Sequence, residues 1–254
     1  MSQFKALVRI ELTEAAKEYK YVWLTIFFVL LGLTQPLINL YMDLILQQMG
    51  GSIGVILDPD KPAPTANEVF LSTISGQFNQ IGLIILLISF MGLIATDRQK
   101  GMQDFILTRP VSIHCYVSAK LIAHWFISMF SLGFGILTSY GCTVYLFDSF
   151  PMTKLISFSI LYSLWILYLI SLVIVISMYV RHQVLIAISA IGISFLLLIL
   201  KNLDPVFSDW LPSSILNVAE HQLVGSSAMS YASIFSCLLL TFLNLMWAGK
   251  KLKN

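Results

Sequence analysis

Charge is what this sequence has least of. Only 28 of its 254 residues are Lys, Arg, Asp or Glu, 11% of the chain, against roughly 25% in an ordinary soluble domain. A water-facing surface cannot be built from so few, so a soluble globular fold is excluded. The net charge of +2 is too small to draw a polyanion. No basic patch with interleaved aromatics is present, so nucleic acid is excluded as a partner. Cysteine is scarce as well. Cys115, Cys142 and Cys237 are odd in number and lack CxxC spacing, so they form neither a disulfide frame nor a metal site. The four His, at 114, 124, 182 and 221, show no HxxxH or HExxH spacing, and there is no GxSxG. Without GxxxxGK(S/T) the chain cannot hold ATP in a P-loop of its own.

Hydrocarbon, in contrast, is abundant: 57% of residues are hydrophobic. Six apolar runs, at about 22–41, 78–96, 121–146, 155–180, 184–200 and 231–248, approach the roughly 20 residues a helix needs to cross a bilayer. A β-barrel would alternate in short segments instead. The expected class is all-α integral membrane, one domain over 1–254 with six transmembrane helices. The fifth run is short and follows the fourth after Arg181-His182-Gln183. Lys201 blurs its end, since a lysine there can snorkel to the interface.

Lys and Arg set the expected orientation. Alternate connecting segments carry Lys5, Arg9, Lys17 and Lys20, then Arg98, Lys100, Arg109 and Lys120, then Arg181, then Lys250, Lys251 and Lys253. The opposite segments carry only Lys61, Lys154 and Lys201. Twelve against three predicts a cell-membrane protein with both termini in the cytoplasm.

All 28 acids and bases fall, on these boundaries, in connecting segments or at run ends. His124 alone is ionisable within a run, and is expected to be hydrogen-bonded or water-exposed rather than a ligand. Ion-driven carriers and intramembrane hydrolases rely on buried ionisable groups, so both are disfavoured. No catalytic residue, metal ligand or cofactor of its own is expected, and the chain reads as not an enzyme.

The flanking segments have character of their own. Over 3–20, Phe4, Leu7, Val8, Leu12, Ala15 and Tyr19 recur at three- and four-residue spacing, with charges largely opposite. This predicts an amphipathic helix along the inner membrane surface, or one packed on a cytosolic partner. The stretch does not read as a cleaved signal, because no small-residue cleavage site follows a run that is itself a full span. The first outer loop, 42–77, contains DPDKPAPTANE, whose prolines exclude regular structure for several residues. Between 201 and 230 lie Val206, Phe207, Trp210, Leu211, Ile215, Leu216 and Val218. Ser213 or Ser214 can cap a helix from Ile215 and Gly225 can end it, predicting one or two short outer helices that dip into the outer leaflet or cap the bundle.

Uncharged polar residues mark two further features. Gln35, Asn39 and Asp43 share one face of span 1 beside Pro36, and Gln77, Asn79 and Gln80 cluster at the outer end of span 2. They are candidates for a substrate path, or for interhelical hydrogen bonds. Asn244 in span 6 is expected to make such a bond. Ser131, Gly135 and Ser139 recur every four residues in span 3. They would let another helix, of this chain or a second one, approach closely.

One long segment between spans 2 and 3 is charged. Met102, Phe105 and Ile106 share a face there, rimmed by Arg98, Gln99, Lys100, Gln103 and Asp104. Gly101 loosens the entry, and Arg109-Pro110 breaks the helix. Ser112 can cap a second short helix running toward Lys120. An apolar ridge with a charged rim suits a small protein contact.

The stretch resembles E-R-E-x-G-T-x-E-x-L-L-x-x-P-V-S-R of ABC-2 type permeases, the membrane subunits of certain ATP-binding-cassette exporters. Gly101, Pro110, Val111 and Ser112 match, and Asp97 and Asp104 keep the acid. Gln99, Met102 and Ile113 depart from the pattern. The resemblance implies a short coupling helix seated in a separate ATPase subunit. Asp97, Arg98, Gly101, Met102, Gln103, Asp104, Phe105, Ile106, Arg109 and Pro110 would make that contact. It further implies two ATPase subunits that bind ATP and Mg, a second permease subunit, identical or not, and outward transport. Two other functions compete with this one: a non-transporting subunit relaying ATPase state to an extracytoplasmic partner, and an ATP-independent carrier. The modest outer loops disfavour the first, and the absence of intramembrane acids disfavours the second.

Overall fold

A computed structural model describes residues 3–53, 64–99, 101, 112–202, 209–224 and 231–253. In lipid, backbone polar groups must be satisfied within the segment, and long apolar runs therefore fold as helices. The chain runs α1 (Gln3–Lys17), α2 (Lys20–Ile53), α3 (Ala66–Gln99), α4 (Ile113–Leu146), α5 (Met152–Tyr179), α6 (Gln183–Leu200), α7 (Ile215–Val224) and α8 (Tyr231–Lys253). Six are long and apolar enough to cross a membrane: Lys20–Met42 of α2, then α3, α4, α5, α6, and Tyr231–Lys251 of α8.

Two spans start well before their apolar runs. α3 begins at Ala66, where the Glu68 carboxylate accepts from the Thr65 N–H at 2.9 Å, closing the first turn. Its early turns bury Val69, Phe70, Thr73 and Ile74 against neighbours. From Thr73 to Gly82 the helix widens into i→i+5 bonding, a form found mostly as short bulges in other proteins. α4 begins at Ile113, with Ser112 Oγ accepting from the Cys115 N–H at 3.3 Å. The short helix expected from Ser112 to Lys120 is thus the first two turns of a single 34-residue helix. Nothing interrupts it, because Tyr116, Val117 and Leu121 bury along one side.

α5 is the core. Trp165, Tyr162 and Phe158 are its largest fully buried side chains, and α4, α6, α7 and α8 pack around it. At the far end Pro212–Ser214 and α7 cap the bundle, burying Ile215, Leu216, Val218 and Leu223. Ser213 Oγ donates to the Leu197 carbonyl at 2.7 Å, and Lys154 Nζ to the Leu223 carbonyl at 2.9 Å. Lys201 does not snorkel to lipid. It is buried, and its Nζ lies 2.9 Å from Glu220 Oε1 of α7. The cap supplies a carboxylate, and that outcompetes a stretch to the interface.

Exposed aromatics with polar tips form two belts, the signature of membrane–water boundaries. Tyr19, Trp23, Tyr179 and Trp247 stand at the near end, where α1 lies and α8 finishes. Tyr41, Tyr145, Trp210 and Tyr231 stand at the far end. Trp23 and Tyr41 on α2 are 18 residues apart, about 27 Å of helix, close to the ~30 Å hydrocarbon core. The exposed surface between the belts is hydrocarbon, including Phe126, Phe130 and Phe134 on α4 and Ile156 and Ile160 on α5.

Candidate functional site

The near end holds a charged cluster inside the protein. Lys120, on the second turn of α4, is 2% exposed. Its Nζ lies 2.7 Å from Glu11 Oε1 of α1 and 2.9 Å from Asp97 Oδ2 of α3. The Tyr116 hydroxyl donates to the same Asp97 oxygen at 2.5 Å. His124, one turn beyond Lys120, donates through Nδ1 to the Lys120 carbonyl at 3.0 Å, and this nitrogen is 4.0 Å from Glu11 Oε2. Phe90 meets the imidazole edge to face. Burial pushes the Glu11 carboxyl above its ordinary range, and the Lys120 ammonium pulls it partly back. A recess of about 60 Å³ adjoins the cluster, lined by Glu14, Glu18, Lys20 and Thr96 among others, with room for water.

Lys120 stands just before the third apolar run by sequence, and the structure buries it. Lys120 is inside a span helix and within the protein. Two carboxylates from other elements replace the water it would otherwise need. Of the two expected settings for His124, hydrogen-bonded or water-exposed, the structure shows the first, with the ring buried. α1 is amphipathic, and its apolar face is taken up inside the chain, with Leu7 and Leu12 packed on the core and Ala15 buried.

The charged segment between spans 2 and 3 is thus held at both ends. On entry, Asp97 joins the cluster, and Gln183 Nε2 of α6 reaches Thr96 Oγ1 at 3.1 Å and Gln99 Oε1 at 3.4 Å. Arg98 is half-buried. Gly101 takes φ +67°, a left-handed turn closed by its N–H on the Arg98 carbonyl at 3.2 Å, the conformation glycine allows most cheaply. On exit, the His114 ring lies so close to Gly249 of α8 that a Cβ there would stand 2.5 Å from it. Met102, Gln103, Asp104, Phe105, Ile106, Arg109 and Pro110, and with them the expected coupling helix, lie outside the described residues.

In the far half, the candidate path residues are divided. Gln77 Nε2 donates to Gln35 Oε1 at 3.0 Å, Thr34 Oγ1 to Gln77 Oε1 at 3.1 Å, and Asn39 Nδ2 to Ser72 Oγ at 3.2 Å. These bonds form a polar seam between α2 and α3. Asn79 is not part of it. It is buried on the other side, accepting from the Tyr162 hydroxyl at 3.1 Å. Gln80 is exposed, and the Asp43 side chain lies outside those described. Asn244 Nδ2 donates to Ser171 Oγ of α5 at 3.0 Å, the interhelical bond expected of it.

The small-residue stripe finds its partner within the chain. Ser131, Gly135 and Ser139 are buried against α2. A Cβ on Gly135 would lie 2.8 Å from the Phe28 carbonyl oxygen, and one on Gly32 would lie 2.5 Å from the Gly135 oxygen and 3.2 Å from the Ser139 nitrogen. Thr25 Oγ1 bonds Ser131 Oγ at 3.3 Å. Among the described residues no group of three or more His, Cys, Asp or Glu is placed to hold a metal.

No family model matches the chain. It is 29% identical over 259 aligned residues, the whole of both chains, to the uncharacterized transmembrane protein YxlG of Bacillus subtilis (strain 168). Membrane embedding is common ground between that relative's name and the six apolar helices.

Proposed function

We propose that this chain is the membrane permease subunit of an ABC-2 type exporter. Two copies, or this chain and a second permease, would pair above two separate ATPase subunits that bind ATP and Mg. On this reading the near end is the cytoplasmic face, in keeping with the Lys and Arg distribution, and substrate moves outward. The observation that carries the reading is the fastening of the two helix ends that flank the charged segment. Polar and close contacts of Thr96 and Asp97 at the end of α3, and of His114 and Lys120 at the start of α4, tie those ends to α1, α6 and α8. A push delivered there by a closing ATPase pair would move several helices as a rigid body.

The test is association. Purification from native membranes under gentle conditions should bring down a soluble P-loop ATPase. Phe105→Asp places a charge on the apolar ridge and should cut the recovered ATPase at least tenfold, with membrane insertion unchanged. Full recovery with that variant sinks the coupling assignment.

The α2–α3 seam is the proposed lining of the route. Its amides can exchange their mutual hydrogen bonds for bonds to a passing polar group. Asn39→Leu should change the transport rate while leaving assembly intact. An unaltered rate would leave the seam a helix-registry device alone.

A further inference from the structure

We propose that the outward face of α1 docks on anionic phospholipid headgroups. The proposal rests on the fold and not on the exporter reading. By sequence, α1 and its exit turn are neutral: Lys5, Arg9 and Lys17 balance Glu11, Glu14 and Glu18. The structure separates the signs. At about 100° per residue, the three acids fall within an arc of about 60° that faces the cluster and its recess. Glu11 is consumed by Lys120, Glu14 lines the recess, and Glu18 pairs with Lys20 at 2.6 Å. The three bases occupy a different arc of about 120° and are exposed. Among the described residues none of the three has an ion-pair partner. A formally neutral helix therefore presents a cationic face.

The depth of that face selects the partner. α1 joins span α2 through Tyr19, whose φ of 55° makes a tight left-handed turn. Tyr19 and Trp23 belong to the near-end aromatic belt. The helix therefore runs at headgroup level, with exposed Ile10 beside the bases. A basic face with a few apolar tips at this depth matches the chemistry of an anionic bilayer surface.

The experiment places an environment-sensitive dye at Thr13→Cys, within the basic arc, in a full-length chain whose Cys115 and Cys142 are replaced by serine. The protein is reconstituted in vesicles of phosphatidylcholine and phosphatidylglycerol, with one or the other carrying a headgroup quencher. At low salt, quenching by phosphatidylglycerol should exceed quenching by phosphatidylcholine by about fivefold or more, given what each basic residue contributes at a charged surface. The preference should shrink toward unity at high salt and in K5S/R9S/K17S, and invert when the three become Glu. The serine variant should melt as the parent does, since no ion pair is lost. Equal quenching by the two lipids overturns the proposal, as does a preference that survives K5S/R9S/K17S. Shielding from both lipids upon addition of a co-purified ATPase would assign the face to an acidic protein and overturn it too.

Discussion

Lys120→Met should lower stability by about 3–5 kcal/mol, the usual effect of removing one partner from a buried ion pair. The ammonium is nearly inaccessible, and its loss leaves the Glu11 and Asp97 carboxylates inside the protein without their counter-ion. Unfolding in detergent, followed by tryptophan fluorescence, should shift down by on the order of 10 °C. The triple variant E11Q/D97N/K120M should recover most of the loss, because neutral groups of similar shape carry no such desolvation penalty. An equal loss in the triple would mean that packing, not charge, is responsible.

The pH response supplies an independent check. The folded protein raises the Glu11 carboxyl above its ordinary 4.5, so the folded state binds that proton more tightly than the unfolded state. Stability from this group is full below 4.5 and is lost as pH rises through the raised value. Without Lys120 to pull the carboxyl down, the window must extend further upward. The K120M defect should therefore ease on acidification.

The second large effect concerns the α2–α4 crossing. Gly135→Val and Gly32→Ala should each destabilise by about 3 kcal/mol, or more for Val. The added carbons would meet backbone atoms of the facing helix at 2.8 and 2.5 Å, where no side-chain rotation gives relief. Gly133→Ala and Gly141→Ala lie on the same α4 helix with open space at the Cβ position. They should be neutral or stabilising by up to about 1 kcal/mol, since Ala outranks Gly in a helix. Unfolding of the four variants side by side is decisive. Equal behaviour would remove the argument for a close backbone crossing.

The fold class was legible because partition between hydrocarbon and water is a property of each segment alone. Hence all six spans were found. Their starts were less legible. Ala66 to Gln77 is too polar on average to read as a span, yet Val69, Phe70, Thr73 and Ile74 bury against neighbouring helices, and tertiary contact extends the helix. The spacing of Ser131, Gly135 and Ser139 announced a close approach, but not that Gly32 and Phe28 would be the other side. The burial of Lys120 was illegible for the same reason. A lysine reads as a water-facing end unless its partners are known, and Glu11 lies 109 residues away in sequence.

What the sequence determined by itself, then, was solvent. Long apolar runs dictate a helical membrane protein, and Gly101 and Ser112 mark the turn and the cap that bound its charged segment. What only the tertiary structure decided was which polar groups satisfy one another. Glu11, Asp97 and Lys120 form one cluster, Gln35 meets Gln77, and the bases of α1 are left exposed while its Glu11 is drawn into that cluster. The physical reason is that a buried charge or amide is tolerable only beside its partner, and distant segments become neighbours only when the helices pack.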